Sequence, residues 1–250
     1  MTQTHHLVLI IISALLFVLM IIMNVLANKL PLGGQTTGAV SDRYPNLFQP
    51  SGMTFSIWGI IYLLLGVFVV VQLLTLGKPL SDRQDAMGYV LLFFAISSIF
   101  NILWLLAWHH NKILLSTIVM VMLLATRYSQ SLDSFTRASF SIYAGWISVA
   151  TIANITILLV SYGAPSFSSW AVVLSVVILI VGALIGGWFT LNDQNIFYGG
   201  VFVWAYLGIL MRHLNQEDLT QSYPSILWTS ALLIIGFVVI ELILLIRQFR

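Results

Sequence analysis

The chain has no cysteine. Disulfides, thiolate metal sites and thiol nucleophiles are therefore excluded. Charge is nearly as scarce: 7% of the residues are Asp, Glu, Lys or Arg, where a soluble domain carries about 25%. With 60% hydrophobic residues and a mean hydropathy of +1.01, so few charges cannot cover a water-facing surface. The expected fold is an all-α polytopic membrane protein, because helices satisfy their own backbone in lipid. No long polar segment is present, so no soluble domain or external catalytic module is expected. Catalytic triads, phosphate-cradling loops, Walker-type motifs and paired intramembrane carboxylates are all missing, and the chain is not expected to be an enzyme. A retinal pump needs a lysine in mid-membrane, whereas Lys29, Lys78 and Lys112 all fall in predicted loops. The pI near 9.0 reflects a net charge of only +2, which reads as membrane topology and not as nucleic-acid affinity.

What is present is a series of apolar runs. About 20 apolar residues cross the hydrocarbon core, and by that measure there are eight predicted spans: 7–27, 54–76, 87–108, 113–131, 139–162, 169–190, 196–211 and 225–246. The seventh is short. The first lacks a basic n-region and a clean cleavage site, so it is expected to be a retained helix and not a signal peptide. Most connections are short. The exception is 28–53, rich in Gly, Pro, Thr and Ser, with Tyr44 and Phe48 placed as if buried. Loops longer than about 12–15 residues in compact proteins are usually functional or disordered, and the turn chemistry here predicts an ordered cap. With eight spans, one side holds Lys78, Arg83, Arg127, Arg137, Arg247 and Arg250, and the other Lys29, Arg43, Lys112 and Arg212. Six against four favours cytoplasmic termini, with the 28–53 loop outside a cell membrane.

The most informative stretch is 46–66, where that loop runs into the second span. Phe55, Trp58 and Tyr62 fall three and four residues apart, one face of a helix. Gly59 and Gly66 share much of that side, where another backbone could approach closely. In the third span Ser97, Asn101, Trp104 and Trp108 share a face; in the fifth, Trp146, Ala150 and Asn154 do. An asparagine in hydrocarbon must find a hydrogen-bond partner, since an unsatisfied amide costs several kcal/mol there. Asn101 and Asn154 are expected to point inward, beside tryptophans. Two explanations stand. Asn and small residues act as interhelical glue, or the rings and amides line a pocket. Trp204-Ala-Tyr-Leu-Gly208 faintly echoes the second span, too weakly for an internal repeat.

His109-His110-Asn-Lys112 reads as an interfacial turn and not a metal site, and no metal is expected. Asp193 reads as a loop residue. Glu241 is the one acid well inside an apolar run. Such carboxylates are costly and often functional, so it is the candidate coupling group if the chain transports. It also lies only six residues before Arg247, near the interface.

Three motifs in register resemble the translocator-protein family, also called tryptophan-rich sensory proteins or peripheral benzodiazepine receptors. They are Pro50 through Phe55, Trp58 and Tyr62; Asn101-Ile-Leu-Trp104; and Trp146, Ala150, Asn154 at four-residue steps. The resemblance covers about residues 1–162 and implies a five-helix bundle, leaving 163–250 as about three added helices. It departs where Ser51-Gly52-Met53 replaces the family's usual tryptophan and prolines. The resemblance implies a membrane receptor or sensor. Its ligand would be a porphyrin, haem-like or other flat hydrophobic molecule, held under the first loop. Phe55, Trp58, Tyr62, Asn101, Trp104, Trp146, Ala150 and Asn154 would form the pocket. Some relatives are reported to promote porphyrin breakdown, but no residue here argues for that independently. No cofactor is required. The expected partners are the lipid bilayer, the hydrophobic ligand and, in a homodimer, a second copy; nucleic acid is not expected. The added helices carry Trp170, Trp188, Trp204 and Trp228, so they either pack, bind a partner or extend the cavity. Two rival readings remain: a secondary transporter of a small hydrophobic solute, coupled through Glu241, and a scaffold with no small ligand.

Overall fold

The computed structural model describes residues 3–29, 32–76, 84–125, 133–216, 219 and 223–248. Lys78, Arg83, Arg127 and Arg250, which enter the charge count above, lie outside the described residues. Every regular element among the described residues is helical: α1 (Gln3–Lys29), α2 (Thr37–Asp42), α3 (Ile57–Leu73), α4 (Gln84–His109), α5 (Ile113–Ala125), α6 (Ser134–Ser161), α7 (Ser169–Asn192), α8 (Ile196–Asn215) and α9 (Pro224–Gln248), with 3-10 turns at Leu32–Gly34 and Gly52–Ser56. Seven of these segments are long and apolar enough to cross a membrane. The protein is thus a polytopic all-α membrane protein. The fourth predicted span, 113–131, is described only as far as Ala125, and that described part, 13 residues, is shorter than a full crossing.

The helix ends follow local chemistry. Ser168 caps α7 by accepting from the Ala171 N–H, and Asn195 caps α8 by accepting from the Tyr198 N–H. Pro224 opens α9, where its missing N–H removes no bond. The 28–53 loop is ordered in its described part, as expected: Phe48 is buried and Tyr44 half-buried. Two expectations need correction. Phe55 sits in the Gly52–Ser56 turn and not in the helix, which begins at Ile57. Gly59 has nothing near it, and Gly66 faces the Phe17 ring at 3.7 Å, so neither glycine receives a backbone.

The chain divides into two compact units: Met1–Val40 with Gly59–Phe140, and Ser41–Trp58 with Ser141–Arg250. The division does not fall at residue 162. In the first unit α1 packs on α4, and α4 on α5. Its core holds Phe68, Phe94 and Phe140, each edge-on to the other two with centroids 5.0–5.7 Å apart, the favourable geometry for ring quadrupoles.

In the second unit α7, α8 and α9 pack together. Small residues let them close, as lipid offers no hydrophobic drive between helices. A Cβ on Gly186 would lie 2.9 Å from the Phe202 ring, and one on Gly182 would lie 2.8 Å from the Tyr206 hydroxyl. That hydroxyl donates to the Leu179 carbonyl at 2.8 Å. Phe237 of α9 stacks on Phe202 at 5.4 Å. Three of the four tryptophans in α7–α9 are exposed (Trp170, Trp188 and Trp228) and belong to the lipid-facing surface. Trp204 alone turns inward, to the Thr54 carbonyl.

Candidate functional site

In the second unit, the Gly52–Ser56 turn, the first residues of α3 and the middle of α6 bring four aromatic rings together. Trp146 of α6 is the centre. Phe55 stands edge-on to it at 6.0 Å and 89°, and Trp58 at 6.2 Å and 86°. Trp58 also leans on Tyr143, one turn earlier on α6, at 6.4 Å. Trp146 is buried, while Phe55 and Trp58 are half-buried. The Trp146 indole N–H is fully enclosed and has no hydrogen-bond partner among the described residues. An enclosed donor left unpaired costs about 1–3 kcal/mol.

Further along α6, Ala150 is half-buried and Asn154 is buried. The Asn154 amide donates to the Ala150 carbonyl at 2.9 Å, within its own helix. Behind the cluster, α8 supports α6. A Cβ on Gly145 would lie 3.0 Å from Val201, and the Ser148 and Tyr198 hydroxyls are hydrogen-bonded at 2.8 Å.

The turn that carries Phe55 is held by α8 as well. Ser51 N–H donates to the Gly208 carbonyl at 3.0 Å, and the Trp204 indole donates to the Thr54 carbonyl at 2.9 Å. One nitrogen of the Arg212 guanidinium, Nη1, donates to the carbonyls of Asn46 at 2.7 Å and Gln49 at 2.9 Å. These residues were not among the predicted site residues. Arg212 ends the apolar run, which is why the seventh span reads as stopping at 211. The structure continues α8 to Asn215, with Arg212 in its last turn and its guanidinium on the cap carbonyls. The available signal was the four-residue spacing of Trp204, Gly208 and Arg212.

The remaining predicted residues, Tyr62, Asn101 and Trp104, belong to the first unit. Asn101 is buried on α4 and accepts from the Asn24 amide of α1 at 3.0 Å. Its own amide nitrogen has no partner among the described residues. Trp104 stacks on Trp108 at 5.7 Å and 29°. Tyr62 is half-buried on α3. The predicted set thus comes together as two groups: Phe55, Trp58, Trp146, Ala150 and Asn154 in one unit, and Asn101 and Trp104 on one face of α4 in the other. Each group offers flat rings and one enclosed neutral donor, which is the chemistry of binding an apolar molecule with a polar edge.

The other candidates resolve simply. His109 is buried with Nδ1 against the Leu105 carbonyl, and His110 is exposed with Nδ1 against the Leu106 carbonyl, so the two rings are engaged separately. Glu241 turns toward α8. A Cβ on Gly199 would lie 2.8 Å from its Oε1 and 2.9 Å from Thr190. That Oε1 is enclosed and has no partner among the described residues.

The chain matches the family described as TSPO-like protein over residues 10–243. The match runs past residue 162 through α7, α8 and nearly all of α9. No curated protein and no solved structure matches the chain.

Proposed function

The chain belongs to the TSPO-like family, and from that premise we propose that it is a multi-pass membrane receptor for a flat hydrophobic ligand of the porphyrin class. The observation that carries the proposal is the Trp146 cluster: rings from two elements surround an indole whose enclosed N–H has no partner among the described residues. A tetrapyrrole supplies both things this cluster lacks, a broad π face for Phe55 and Trp58 and a carboxylate or carbonyl oxygen for the Trp146 N–H. Asn101 and the Trp104–Trp108 stack in the other unit offer the same combination. With α5 counted as an eighth crossing, the six-against-four bias of basic residues supports termini in the cytoplasm.

The test is a titration of the full chain in detergent with protoporphyrin IX, following the Soret band and tryptophan quenching. Saturable micromolar binding is expected. Trp146→Phe keeps the ring and removes the donor, so it should weaken binding by a factor of about five to ten, the size of one hydrogen bond. Trp146→Ala should weaken it further. Absence of saturable binding, or indifference to both changes in a folded protein, rejects the reading.

One observation favours a second reading, that of a secondary transporter. The Glu241 oxygen Oε1 is enclosed, without a partner among the described residues, against the glycines of α8, the setting of a group that exchanges a proton during a cycle. Uptake of a hydrophobic solute into liposomes should then depend on pH and disappear in Glu241→Gln. Uptake that survives the substitution removes the coupling role.

A further inference from the structure

Trp204, Gly208 and Arg212 stand at four-residue steps on α8 and so form one stripe along it. At about 1.5 Å rise per residue the stripe is about 12 Å long. Each member grips the segment 46–54. Arg212 holds the Asn46 and Gln49 carbonyls, Gly208 accepts from Ser51, and Trp204 donates to Thr54. Gly208 also fits because it has no side chain; a methyl there would collide with the Thr54 side chain. Thr54 is the residue before Phe55, and Phe55 is the ring that stands on Trp146. The grip on the backbone is therefore one residue away from the proposed ligand contact.

We propose that Trp204, Gly208 and Arg212 are positioning residues, which hold Phe55 and Trp58 against Trp146 and so set how fast a bound flat molecule leaves. This rests on the receptor reading above. It gives α8 a role in the binding site without touching the ligand. Arg212 suits the role. A guanidinium that donates to two carbonyls makes charge-assisted bonds, roughly twice as strong as neutral ones. Because both bonds come from a single nitrogen, a lysine ammonium can replace them.

The experiment uses the full chain in phosphatidylcholine nanodiscs, as wild type, Arg212→Ala, Arg212→Lys and Gly208→Ala. Amide hydrogen exchange is followed in the ligand-free proteins, and dissociation of protoporphyrin IX is followed by displacement. Arg212→Ala and Gly208→Ala should speed exchange of the 46–56 amides by a factor of about ten or more, the size expected from a lost charge-assisted bond, with exchange in α6 and α7 unchanged. Protoporphyrin should leave them faster by a similar factor. Arg212→Lys should stay near the wild type in both measurements. Unchanged exchange in Arg212→Ala overturns the proposal. So does faster exchange with an unchanged dissociation rate, because the grip would then serve stability alone. A wild type that binds no porphyrin rejects the receptor reading, and the ligand-free exchange then decides the grip alone.

Discussion

The two halves of the cap are each fastened by a helix tryptophan, a glycine and one long polar side chain, and the long side chain runs in opposite directions in the two. Residues 32–40 lie on the end of α4. There the Trp108 indole donates to the Thr37 carbonyl at 3.0 Å, Gly33 fits against the His109 carbonyl, and the Gln35 amide donates to that same carbonyl at 3.0 Å. Residues 41–56 lie on α8, fastened by Trp204, Gly208 and Arg212. In the first half one anchoring side chain, that of Gln35, comes from the cap and takes its carbonyl from the helix. That carbonyl is one of the last in α4, which lack partners inside the helix, so the cap finishes the helix end. In the second half the anchoring side chains, those of Trp204 and Arg212, come from the helix and take their carbonyls from the cap. The helix now finishes the cap, and it does so with a charge. The difference assigns the tasks. The neutral half terminates a helix, and the charged half sets the backbone that presents Phe55 and Trp58.

The largest effects should come from the two glycines, and they should differ in kind. Gly33 has φ of 65°, and its Cβ would lie 2.5 Å from the rigid His109 carbonyl. Gly33→Ala should cost roughly 2–4 kcal/mol, a left-handed residue plus an overpacking term, seen as a lower unfolding midpoint. Gly208→Ala meets a side chain instead. Cutting that side chain back with Thr54→Ala should recover part of the loss in the double variant, whereas no single side-chain truncation should rescue Gly33→Ala. Equal rescue at both sites would break the distinction.

The anchors come next. Arg212→Ala removes a charged donor and should cost about 1.5–3 kcal/mol, and Gln35→Ala, a neutral one, about 0.5–1.5 kcal/mol. Denaturant titration of both in the same detergent measures the difference. Trp108→Phe and Trp204→Phe each remove one indole N–H and should cost about 1 kcal/mol. Their double variant should be additive within about 0.5 kcal/mol if the halves act independently. A larger coupling would mean that the cap works as one body.

The contrast also explains what could be read in advance. Helix positions were legible because lipid demands long apolar runs, and Phe55, Trp58 and Trp146 stood out singly as rings on or beside those runs, whereas their meeting, and Tyr143 beside them, did not show in the spacing. The ordered cap was legible from its turn residues and from Phe48. The grip by α8 was not. A hydrogen bond from Arg212 to Asn46 joins residues 166 positions apart and leaves no periodicity. The arginine shortened the predicted span, since a charge ends an apolar run, while the helix itself continues to Asn215. The short helix α2 and the two 3-10 turns were hidden for a similar reason: they are set by the helices that hold them and not by their own propensity. Trp204…Gly208 did register as a faint echo, but nothing in one helix says which backbone it meets.

The smallest effect belongs to a position outside both halves, and it shows whether the cap measurements report the cap alone. Asp133 caps α6, accepting from the Thr136 N–H at 3.0 Å. Partial burial pushes its carboxyl up, but hydrogen bonds from the Thr136 side chain and from backbone N–H groups outweigh this, and the net shift is downward. A carboxyl held below its ordinary value stabilises the fold fully above about pH 4, the unperturbed range. That contribution fades as the pH falls through the folded value. Asp133→Ala should cost about 1 kcal/mol at neutral pH, the usual worth of such a cap. Asp133→Asn should cost a few tenths at most, because asparagine caps as well, yet it should abolish this residue's share of the acid dependence. Neither change should alter exchange in 36–40 or in 48–56. If Asp133→Ala loosened those amides as much as Arg212→Ala does, the exchange would be reporting global stability, and the two halves could not be told apart by it.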